Sequence, residues 1–281
     1  MALIMKGSEV AASMKVKLAE EISRLNFTPS LAIIRVGSRP DDLAYERGIL
    51  KRFESLGLSV KVHELLENIS QEDFNAEFSR LNDDENIHGI LLFRPLPKNL
   101  SDEFAVSKIN PRKDIDCMSK INIAGVFTGD KKSFAPCTAS AVMEMLEHYE
   151  FDLTGKNVVI VGRSLVVGRP LAMLMLAKNA TVTICHTKTQ NLPEICKNAD
   201  ILVAAAGKAG MITREFVSDK SVILDVGINV NSQGKLCGDV DYENVVNLVK
   251  AISPVPGGVG AVTTSVLAKN LISAAKFSLS K

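Results

Sequence analysis

Short apolar runs alternate with amphipathic segments along this chain, and the alternation predicts strands and helices in turn. Runs rich in Val, Ile and Leu are typical of buried parallel strands, whereas apolar residues spaced by three and four positions indicate helices. The predicted strands are 31–36, 60–65, 89–92, 157–162, 180–185, 201–206, 221–226 and 251–255. The predicted helices are 8–25 with Ser8 as its N-cap, 43–56, 71–81, a helix that begins near 136–138, and 264–277.

The order of these elements predicts an α/β protein with two domains. We predict that residues 1–140 form an N-terminal α/β catalytic domain and that residues 141–263 form a Rossmann-type dinucleotide-binding domain. The C-terminal helix, within residues 264–281, is expected to return to the first domain and pack on it. Because parallel sheets bind ligands outside the carboxyl ends of their strands, we expect a cleft where the two domains face each other.

The stretch from 158 to 170 contains an apolar strand, a tight glycine turn and the start of a helix. This geometry places the pyrophosphate of a dinucleotide against backbone N–H groups at the helix N-terminus. Its spacing, with Gly162, Ser164 and Gly168, follows the G-x-G-x-x-G pattern only loosely. The glycines alone therefore leave two interpretations open, a dinucleotide site or a turn that uses glycine for packing.

The next predicted strand, 180–185, favours NADP over NAD. An NAD site places an Asp or Glu about 20 residues beyond the glycine turn, where the acid binds the ribose 2′-hydroxyl. Here the strand is followed by His186, Thr187 and Lys188, and Arg163 lies in the glycine turn. Hydroxyls and cations suit a 2′-phosphate, which a carboxylate would repel. The alternative is a solvated loop that happens to contain Lys and Thr.

Composition and charge exclude several classes of protein. The 281 residues include 33 basic and 32 acidic side chains, a balance without the field that attracts nucleic acid or an anionic membrane. No apolar run approaches the ~20 residues of a membrane span. The first residues lack the apolar core of a signal peptide, so we expect a cytoplasmic protein. Five scattered cysteines without C-x-x-C spacing and four unclustered histidines predict neither a disulfide framework nor a metal site.

Several ordered motifs, spread over nearly the whole chain, are similar to those of the methylenetetrahydrofolate dehydrogenase/cyclohydrolase family. They are Val36-Gly37-Ser38 with Tyr45 downstream, Pro95-Leu96-Pro97, Lys113-Asp114-Ile115-Asp116, Pro136-Cys137-Thr138, Gly162-Arg163-Ser164, Val167-Gly168-Arg169-Pro170, Cys185-His186-Thr187-Lys188-Thr189, Asp225-Val226-Gly227-Ile228-Asn229 and Pro254-Val255-Pro256-Gly257-Gly258-Val259-Gly260. Chance does not produce so many matches in the same order, so the chain is identified as a member of this family.

The resemblance implies hydride transfer from 5,10-methylenetetrahydrofolate to NADP, followed in bifunctional members by hydrolysis of the methenyl product to 10-formyltetrahydrofolate. It implies that tetrahydrofolate one-carbon derivatives are the substrates, that Tyr45 stacks on the folate ring system, and that Asp116 accepts hydrogen bonds from the pterin. The wall beside the folate would be Pro256, Gly257 and Gly258. The NADP site would be Gly162, Arg163, Ser164, Thr187 and Ile228, with Arg163 and Thr187 at the 2′-phosphate. A homodimer through the cofactor domain is also implied.

Four positions depart from the family pattern. The family has a lysine four residues after the tyrosine and a glutamine just ahead of its proline-leucine-proline motif, and here these positions are Ile49 and Phe93. Cys117 replaces the glycine after the Asp-x-Asp, and Ala261 replaces the proline after the last glycine of the 254–260 loop. The lysine and glutamine face each other in the family site, and both positions are apolar here.

No nearby cation is a convincing replacement for that lysine. Lys51 lies about 240° round the helix from Tyr45, and Arg52 shares its face but lies roughly 10.5 Å along the axis. Arg94 follows Phe93, but neighbouring residues of a strand face opposite sides unless the strand has ended. Hydride transfer depends mainly on positioning, whereas hydrolysis needs a group with a pKa near neutrality. We therefore predict an NADP-dependent dehydrogenase with weak or absent cyclohydrolase activity.

Three alternatives stay open at this point. The first is a fully bifunctional enzyme in which Arg94 or a bound water assists hydrolysis. The second is a dehydrogenase for a different substrate, because Phe93, Cys117 and Ala261 alter the folate pocket. The third is a catalytically silent ligand-binding homologue, against which the intact cofactor motifs argue.

Overall fold

The computed structural model describes residues 1–231 and 233–278. The strands are β1 (Leu3–Ile4), β2 (Ser30–Val36), β3 (Ser59–Leu65), β4 (Gly89–Leu92), β5 (Asn157–Val161), β6 (Thr181–Cys185), β7 (Ile201–Ala204), β8 (Val222–Asp225), β9 (Asn229–Val230), β10 (Leu236–Cys237) and β11 (Ala251–Ile252). The helices are α1 (Gly7–Ser23), α2 (Pro40–Glu54), α3 (Gln71–Asp83), α4 (Glu103–Lys108), α5 (Lys120–Thr128), α6 (Cys137–His148), α7 (Gly168–Leu176), α8 (Leu192–Lys197), α9 (Tyr242–Val245) and α10 (Thr263–Ser278).

The chain divides into two compact units. The three-stranded unit comprises Met14–Cys137 and the chain from Thr264 onwards. The six-stranded unit comprises Met1–Ser13 and Thr138–Thr263. Each unit is named after its main sheet.

The three-stranded unit contains a parallel sheet in the order β3-β2-β4. Six of the seven residues of the central strand β2 are buried, as expected for a parallel strand covered on both faces. Phe74 and Phe78 of α3 pack in one apolar cluster with side chains of β2 and β4. A Cβ added to Gly89 on β4 would lie 2.8 Å from Leu271 Cδ1. The C-terminal helix α10 therefore packs directly on this sheet, as predicted.

The six-stranded unit contains a parallel sheet in the order β1-β11-β8-β7-β5-β6. Strands β5, β7 and β8 are almost entirely buried, which agrees with their continuous runs of Val, Ile and Leu. β6 lies on one side of β5 and β7 lies on the other. The winding direction therefore reverses at β5, and such a reversal opens a crevice at the carboxyl ends of the strands. A separate antiparallel pair, β9 with β10, completes the unit.

The predicted long elements match the structure, and the differences have local causes. α1 begins at Gly7, so Ser8 lies inside the helix and its predicted role as N-cap is wrong. β11 ends at Ile252, because the prolines that follow have no N–H for a ladder. Residues 1–13 belong to the six-stranded unit and not to the predicted first domain, because β1 pairs with β11. Residue 232 and residues 279–281 of the predicted domain ranges lie outside the described residues.

Among the described residues, no helix combines the length and apolar character that crossing a bilayer requires. The same residues contain no group of three or more His, Cys, Asp or Glu side chains placed to hold a metal ion.

Candidate functional site

Helix α2 presents Tyr45, and the sequence fixes where this helix begins. Pro40 lies in its first turn, where the missing backbone N–H has no intrahelical partner to lose. Asp41 and Asp42 lie at the positive end of the helix dipole, and Arg39 Nε donates to Asp42 Oδ2 at 2.8 Å. These signals start the helix before the predicted residue 43, so Tyr45 belongs to a well-anchored part of it.

A buried arginine ties the same helix to the sheet. Arg35 on β2 is 3% exposed, and its Nε donates to Glu46 Oε2 at 2.7 Å. Its Nη2 lies 3.1 Å from Glu64 Oε2 on β3, and its Nη1 donates to the carbonyl of Gly37. Burial lowers the pKa of Arg35, but the two glutamates outweigh burial and the pKa is raised. Because Glu46 follows Tyr45 in the helix, this ion pair helps to hold the tyrosine in place.

Tyr45 lies in a cluster with two other residues that the sequence singled out. Its ring centroid is 5.6 Å from that of Phe93, with the planes 32° apart. Burial, and then the negative charge of Asp116, raise the pKa of Tyr45 well above its ordinary value. The phenol therefore stays uncharged at neutral pH and keeps its hydrogen. The structure thus brings Tyr45, Phe93 and Asp116 together.

The two carboxylates of the Asp-Ile-Asp segment have different roles. Asp114 is 1% exposed and accepts hydrogen bonds from the backbone N–H groups of Met118 at 2.8 Å and Ser119 at 2.9 Å. Asn122 Nδ2 donates to the same carboxylate at 2.9 Å. These bonds fold the loop between α4 and α5 around Asp114, so this residue supports the loop. Asp116 is the carboxylate that faces the tyrosine cluster.

Asp116 lies at the N-terminus of α6. Its Oδ1 accepts a hydrogen bond from the backbone N–H of Cys137 at 2.9 Å, which fixes the orientation of the carboxylate. Burial raises the pKa of Asp116, while the hydrogen bonds from Cys137 and the charge of Arg94 lower it, and the net direction is upward. A carboxylate held in this way at the edge of a partly buried site is suited to accept hydrogen bonds from a polar ring.

Cys117 explains why a glycine is expected after the Asp-x-Asp. Its φ of +58° is left-handed, a conformation that glycine adopts freely and other residues adopt at a cost. Its side chain is buried, and burial raises the pKa of the thiol to about 12. The thiol is therefore uncharged at neutral pH, and the substitution adds a small apolar group beside Asp116.

The two positions where the family has a lysine and a glutamine are apolar and buried here. Ile49 lies one helical turn beyond Tyr45 on the same face of α2 and is 0% exposed. Phe93 directly follows β4 and is 6% exposed. Neither side chain can donate or accept a proton. The cation that follows in sequence, Arg94, is a third exposed and pairs with Asp102 at 3.1 Å.

A cavity of about 300 Å³ lies at the opposite, amino end of β4, and none of the predicted site residues line it. Its polar groups serve the structure around it. Lys113 Nζ donates to the carbonyl oxygens of Asn82 and Asp84 at 2.6 and 2.7 Å, and the backbone N–H of Ser30 donates to His88 Nδ1 at 3.1 Å. We therefore place the candidate site at the carboxyl end of β4, around Tyr45.

In the six-stranded unit, two glycines are required by close backbone approach. Gly162 has a φ of +143°, and a Cβ added to it would lie 2.2 Å from the carbonyl oxygen of Ala205. A Cβ on Gly168 would lie 2.0 Å from the carbonyl oxygen of Gly162. Ser164 Oγ accepts a hydrogen bond from the backbone N–H of Val167 at 3.0 Å and so fixes the turn. Strand β5, the turn and helix α7 therefore meet as a dinucleotide-binding turn does.

A cavity of about 300 Å³ opens beside this turn, at the carboxyl ends of β5 and β7. Four of the residues predicted to hold the cofactor meet there, namely Gly162, Arg163, Ser164 and Thr187. Val161 and His186, which belong to the two motifs described from the sequence, also line it. Sequence reasoning missed the other lining residues, which are Ala205, Ala206, Lys208 and Met211. The order of the strands could have indicated that the segment after β7 lines the site, because β7 lies next to β5, where the winding direction reverses.

The remaining predicted residues do not line this cavity. Ile228, in the segment after β8, is 69% exposed. Pro256, Gly257 and Gly258 lie in the loop after β11, where the carbonyl of Gly257 accepts a hydrogen bond from the N–H of Gly7 at 2.8 Å. A Cβ on Gly258 would lie 2.4 Å from the carbonyl oxygen of Pro254. The loop is therefore built so tightly that glycine is required there.

A buried carboxylate also organises the segment that contains Ile228. Asp225 is 3% exposed and accepts hydrogen bonds from the N–H groups of Gly227, Asp239 and Val240 at 3.0, 3.0 and 2.9 Å. Burial nevertheless raises the pKa of Asp225 to about 6. Asp225, the first residue of the Asp-Val-Gly-Ile-Asn motif, therefore holds this segment in place by hydrogen bonds to its backbone.

Comparison with known proteins identifies both halves of the chain. Residues 5–116 match the catalytic domain of the tetrahydrofolate dehydrogenase/cyclohydrolase family, and residues 136–279 match its NAD(P)-binding domain. The chain is 52% identical over 279 residues to the "Bifunctional protein FolD 1" of Desulfitobacterium hafniense, covering 98% of this chain and 99% of that protein.

Two solved structures show the same fold along the whole chain. The bifunctional FolD methylenetetrahydrofolate dehydrogenase/cyclohydrolase of Campylobacter jejuni is 37% identical, with a TM-score of 0.95 and 99% of each chain covered. The corresponding Trypanosoma brucei enzyme, complexed with NADP cofactor and inhibitor, is 35% identical, with a TM-score of 0.93 and 100% and 99% covered. The predicted two-domain α/β fold with a Rossmann-type cofactor domain is therefore confirmed.

Proposed function

Because the chain belongs to the tetrahydrofolate dehydrogenase/cyclohydrolase family, we propose that it is an NADP-dependent 5,10-methylenetetrahydrofolate dehydrogenase of one-carbon metabolism. Bound NADP would supply the acceptor for the hydride that leaves the methylene carbon, and the folate product is the methenyl cation. The observation that supports this proposal most is the cavity where Gly162, Arg163, Ser164 and Thr187 meet.

The residues of that cavity fit a dinucleotide with a 2′-phosphate. Gly162 and Gly168 leave no room for a Cβ, so the backbone itself forms the wall that a pyrophosphate approaches. Arg163 and Lys208 bring two cations to the cavity, and Thr187 adds a hydroxyl. Cations and hydroxyls favour the additional phosphate of NADP. The relative from Trypanosoma brucei, solved with NADP, is consistent with that preference.

In the three-stranded unit, Tyr45 and Asp116 would hold the folate. The uncharged phenol ring of Tyr45 offers a flat surface for stacking on the folate ring system. The Asp116 carboxylate, oriented by the Cys137 N–H, would accept hydrogen bonds from the pterin amino group and ring nitrogen. Both residues position the folate, and positioning is what hydride transfer mainly needs.

We further propose that cyclohydrolase activity is weak or absent. Hydrolysis of the methenyl cation requires an activated water and a group that moves protons near neutral pH. The positions of the family's lysine and glutamine are Ile49, which is 0% exposed, and Phe93, whose ring lies 5.6 Å from that of Tyr45. An isoleucine and a phenylalanine cannot activate water, so the methenyl product is expected to accumulate.

A fully bifunctional enzyme is the second candidate, and the names of the relatives favour it. The Desulfitobacterium hafniense and Campylobacter jejuni proteins are both called bifunctional. In this case Arg94, whose charge reaches Asp116, or a bound water would have to assist hydrolysis. A guanidinium stays protonated in proteins and cannot serve as the base, so we favour the first candidate.

The decay of methenyltetrahydrofolate separates the two candidates. With the wild-type enzyme, we expect hydrolysis above the buffer rate to be at least roughly 100-fold slower than dehydrogenase turnover, since general acid–base catalysis typically contributes that much. Ile49→Lys with Phe93→Gln should recover more hydrolysis than the two single changes added together, because the family resemblance implies that these positions face each other and neighbouring residues couple. A lysine at position 49 without the glutamine would be poorly solvated, with a lowered pKa.

Leu50→Lys is the matched control, because residue 50 is the exposed neighbour of Ile49 on α2. It adds the same charge away from Tyr45 and should leave hydrolysis unchanged. Wild-type hydrolysis comparable to dehydrogenase turnover would establish the bifunctional candidate and overturn ours.

We also propose a homodimer, joined through the cofactor domain, that acts in the cytoplasm. Val230 on β9 and Leu236 on β10 are 67% and 46% exposed, so the antiparallel pair offers an apolar surface to a second copy. The five cysteines are free, which suits a reducing compartment. Light scattering of the purified protein would measure the oligomeric state.

A further inference from the structure

Asp239 is a fully buried carboxylate that sequence reasoning did not single out. It is 0% exposed, and its Oδ2 accepts hydrogen bonds from the backbone N–H groups of Ala206 at 2.6 Å and Gly207 at 2.9 Å. Its Oδ1 accepts from the N–H of Lys208 at 2.8 Å and from Asn229 Nδ2 at 2.9 Å. Three consecutive N–H groups of one turn and a side chain of a second segment therefore converge on a single carboxylate.

The groups that Asp239 holds belong to the cofactor cavity or adjoin a predicted cofactor residue. Ala206 and Lys208 line the cavity beside the glycine turn. Asn229 directly follows Ile228, which the family resemblance assigns to NADP. Asp239 thus joins the turn after β7 to the segment after β8 at the carboxyl end of the sheet.

The surrounding backbone is shaped to receive this carboxylate. A Cβ on Gly227 would lie 2.3 Å from Asp239 Oδ1, so only glycine fits against it. The backbone N–H of Asp239 itself donates to Asp225 Oδ1 at 3.0 Å. The position of Asp239 is therefore fixed from both its backbone and its side chain, and the charge is balanced by hydrogen bonds, as a buried carboxylate requires.

We propose that Asp239 is a positioning residue of the cofactor site. It holds the 206–208 turn and the 228–229 segment in the arrangement that binds NADP, and its complete burial keeps it from touching the cofactor. This inference rests on the proposed function, because it assumes that the cavity beside Gly162 is the NADP site.

Asp239→Asn is the sharpest change, because it keeps the shape and removes the second acceptor. Each carboxylate oxygen accepts two hydrogen bonds, so either orientation of an amide leaves at least one backbone N–H without an acceptor. We expect the dissociation constant for NADP to rise roughly ten-fold, the range that one unpaired buried donor produces. The KM for NADP should rise with kcat little changed, and the amides of 206–208 should exchange faster in the free protein.

Asp200→Asn is the matched control. Asp200 Oδ2 accepts one hydrogen bond, from the N–H of Asn157 at 2.9 Å, at the opposite end of the same sheet. This variant should keep the wild-type affinity for NADP. Asn229→Ala removes one of the four bonds and leaves the carboxylate intact, so it should weaken NADP binding in the same direction but less, and it serves if Asp239→Asn does not fold.

The measurements separate failure of the inference from failure of the proposed function. A wild-type protein that binds no NADP would overturn both. A wild type that binds NADP, together with folded Asp239→Asn and Asn229→Ala variants of unchanged affinity, would overturn the positioning role alone, even if both variants melt at a lower temperature.

Discussion

The two sheets present their candidate ligand residues at the same topological position. One site is formed mainly by backbone atoms and the other by side chains. In each sheet one strand, β2 or β5, is flanked by later strands on both sides, and the residues of interest follow the carboxyl ends. At β5 the wall is backbone, made by glycines that leave no space for a side chain. At β2 and β4 the site consists of side chains, chiefly Tyr45, Phe93 and Asp116.

This difference explains which part of the family chemistry is expected to survive. A wall made of backbone keeps its shape as long as its glycines remain, and the side chains beside it, such as Arg163 and Asp239, change how tightly NADP binds but do not carry out the chemical step. A site made of side chains changes its chemistry with one substitution, as at Ile49. This is why the function proposed above combines cofactor binding and hydride transfer with weak or absent hydrolysis.

The largest effect is expected when a methyl group is added to the backbone wall by replacing Gly162 with alanine. Gly162→Ala should destabilise the protein by ~2–5 kcal/mol, the sum of a left-handed penalty of ~1–2 kcal/mol and an overpacking penalty of ~1–3 kcal/mol. NADP binding should be lost, because the Cβ would lie 2.2 Å from the carbonyl oxygen of Ala205. Thermal unfolding and titration with NADP measure the two effects.

Gly155→Ala is the control that separates the cost of a positive φ from the cost of the steric contact with Ala205. Gly155 has a φ of +70° with no atom within 4 Å of an added Cβ, so this variant should lose only ~1–2 kcal/mol of stability and keep its affinity for NADP. Equal losses in the two variants would mean that the wall at Ala205 yields and that the backbone contact is not what shapes the site.

The next effect tests the side-chain site. Asp116→Ala should weaken folate binding by ~1.5–3 kcal/mol, the contribution of hydrogen bonds to a charged group, and should leave NADP binding intact. Asp83→Ala, at an exposed residue that ends α3, should change neither affinity. Isothermal titration with each ligand measures both. Unchanged folate affinity in Asp116→Ala would reduce Asp116 to a residue that caps the start of α6.

The smallest effect concerns the left-handed residue beside Asp116. At an ordinary position Ala is at least as stable as Gly, but at Cys117, with φ at +58°, the order should reverse. Cys117→Gly should be about 1 kcal/mol more stable than Cys117→Ala, because only glycine avoids the left-handed penalty. Denaturant unfolding of the two variants measures the difference. A more stable alanine variant would show that the loop relaxes to another conformation.

The sequence predicted the long elements because their signals are local. Buried runs such as those of β5 and β8 and the helical spacing of α3 and α10 can be recognised in a short window. The short elements β1, β9, β10, α4, α5, α8 and α9 were not predicted. A two-residue strand such as β1 has no period of its own, and it exists only because it pairs with β11.

The candidate site divides in the same way. Gly162, Arg163, Ser164 and Thr187 are found from a turn motif and the strand that follows it. Asp239 is 33 positions from Ala206, and no local pattern joins the two. The role of Arg35 likewise depends on glutamates from α2 and β3. Contacts between distant segments are what a single sequence does not display.

The burial of the cysteines has a practical consequence for studying this protein. Burial raises the pKa of Cys117 and Cys196 to about 12, and it also raises the pKa of Cys137 and Cys185, so these four thiols stay protonated and react slowly. Cys237, on β10, is half-buried. The wild-type chain therefore contains one addressable thiol, and a maleimide fluorophore placed there would report on the β9–β10 pair without any engineered cysteine.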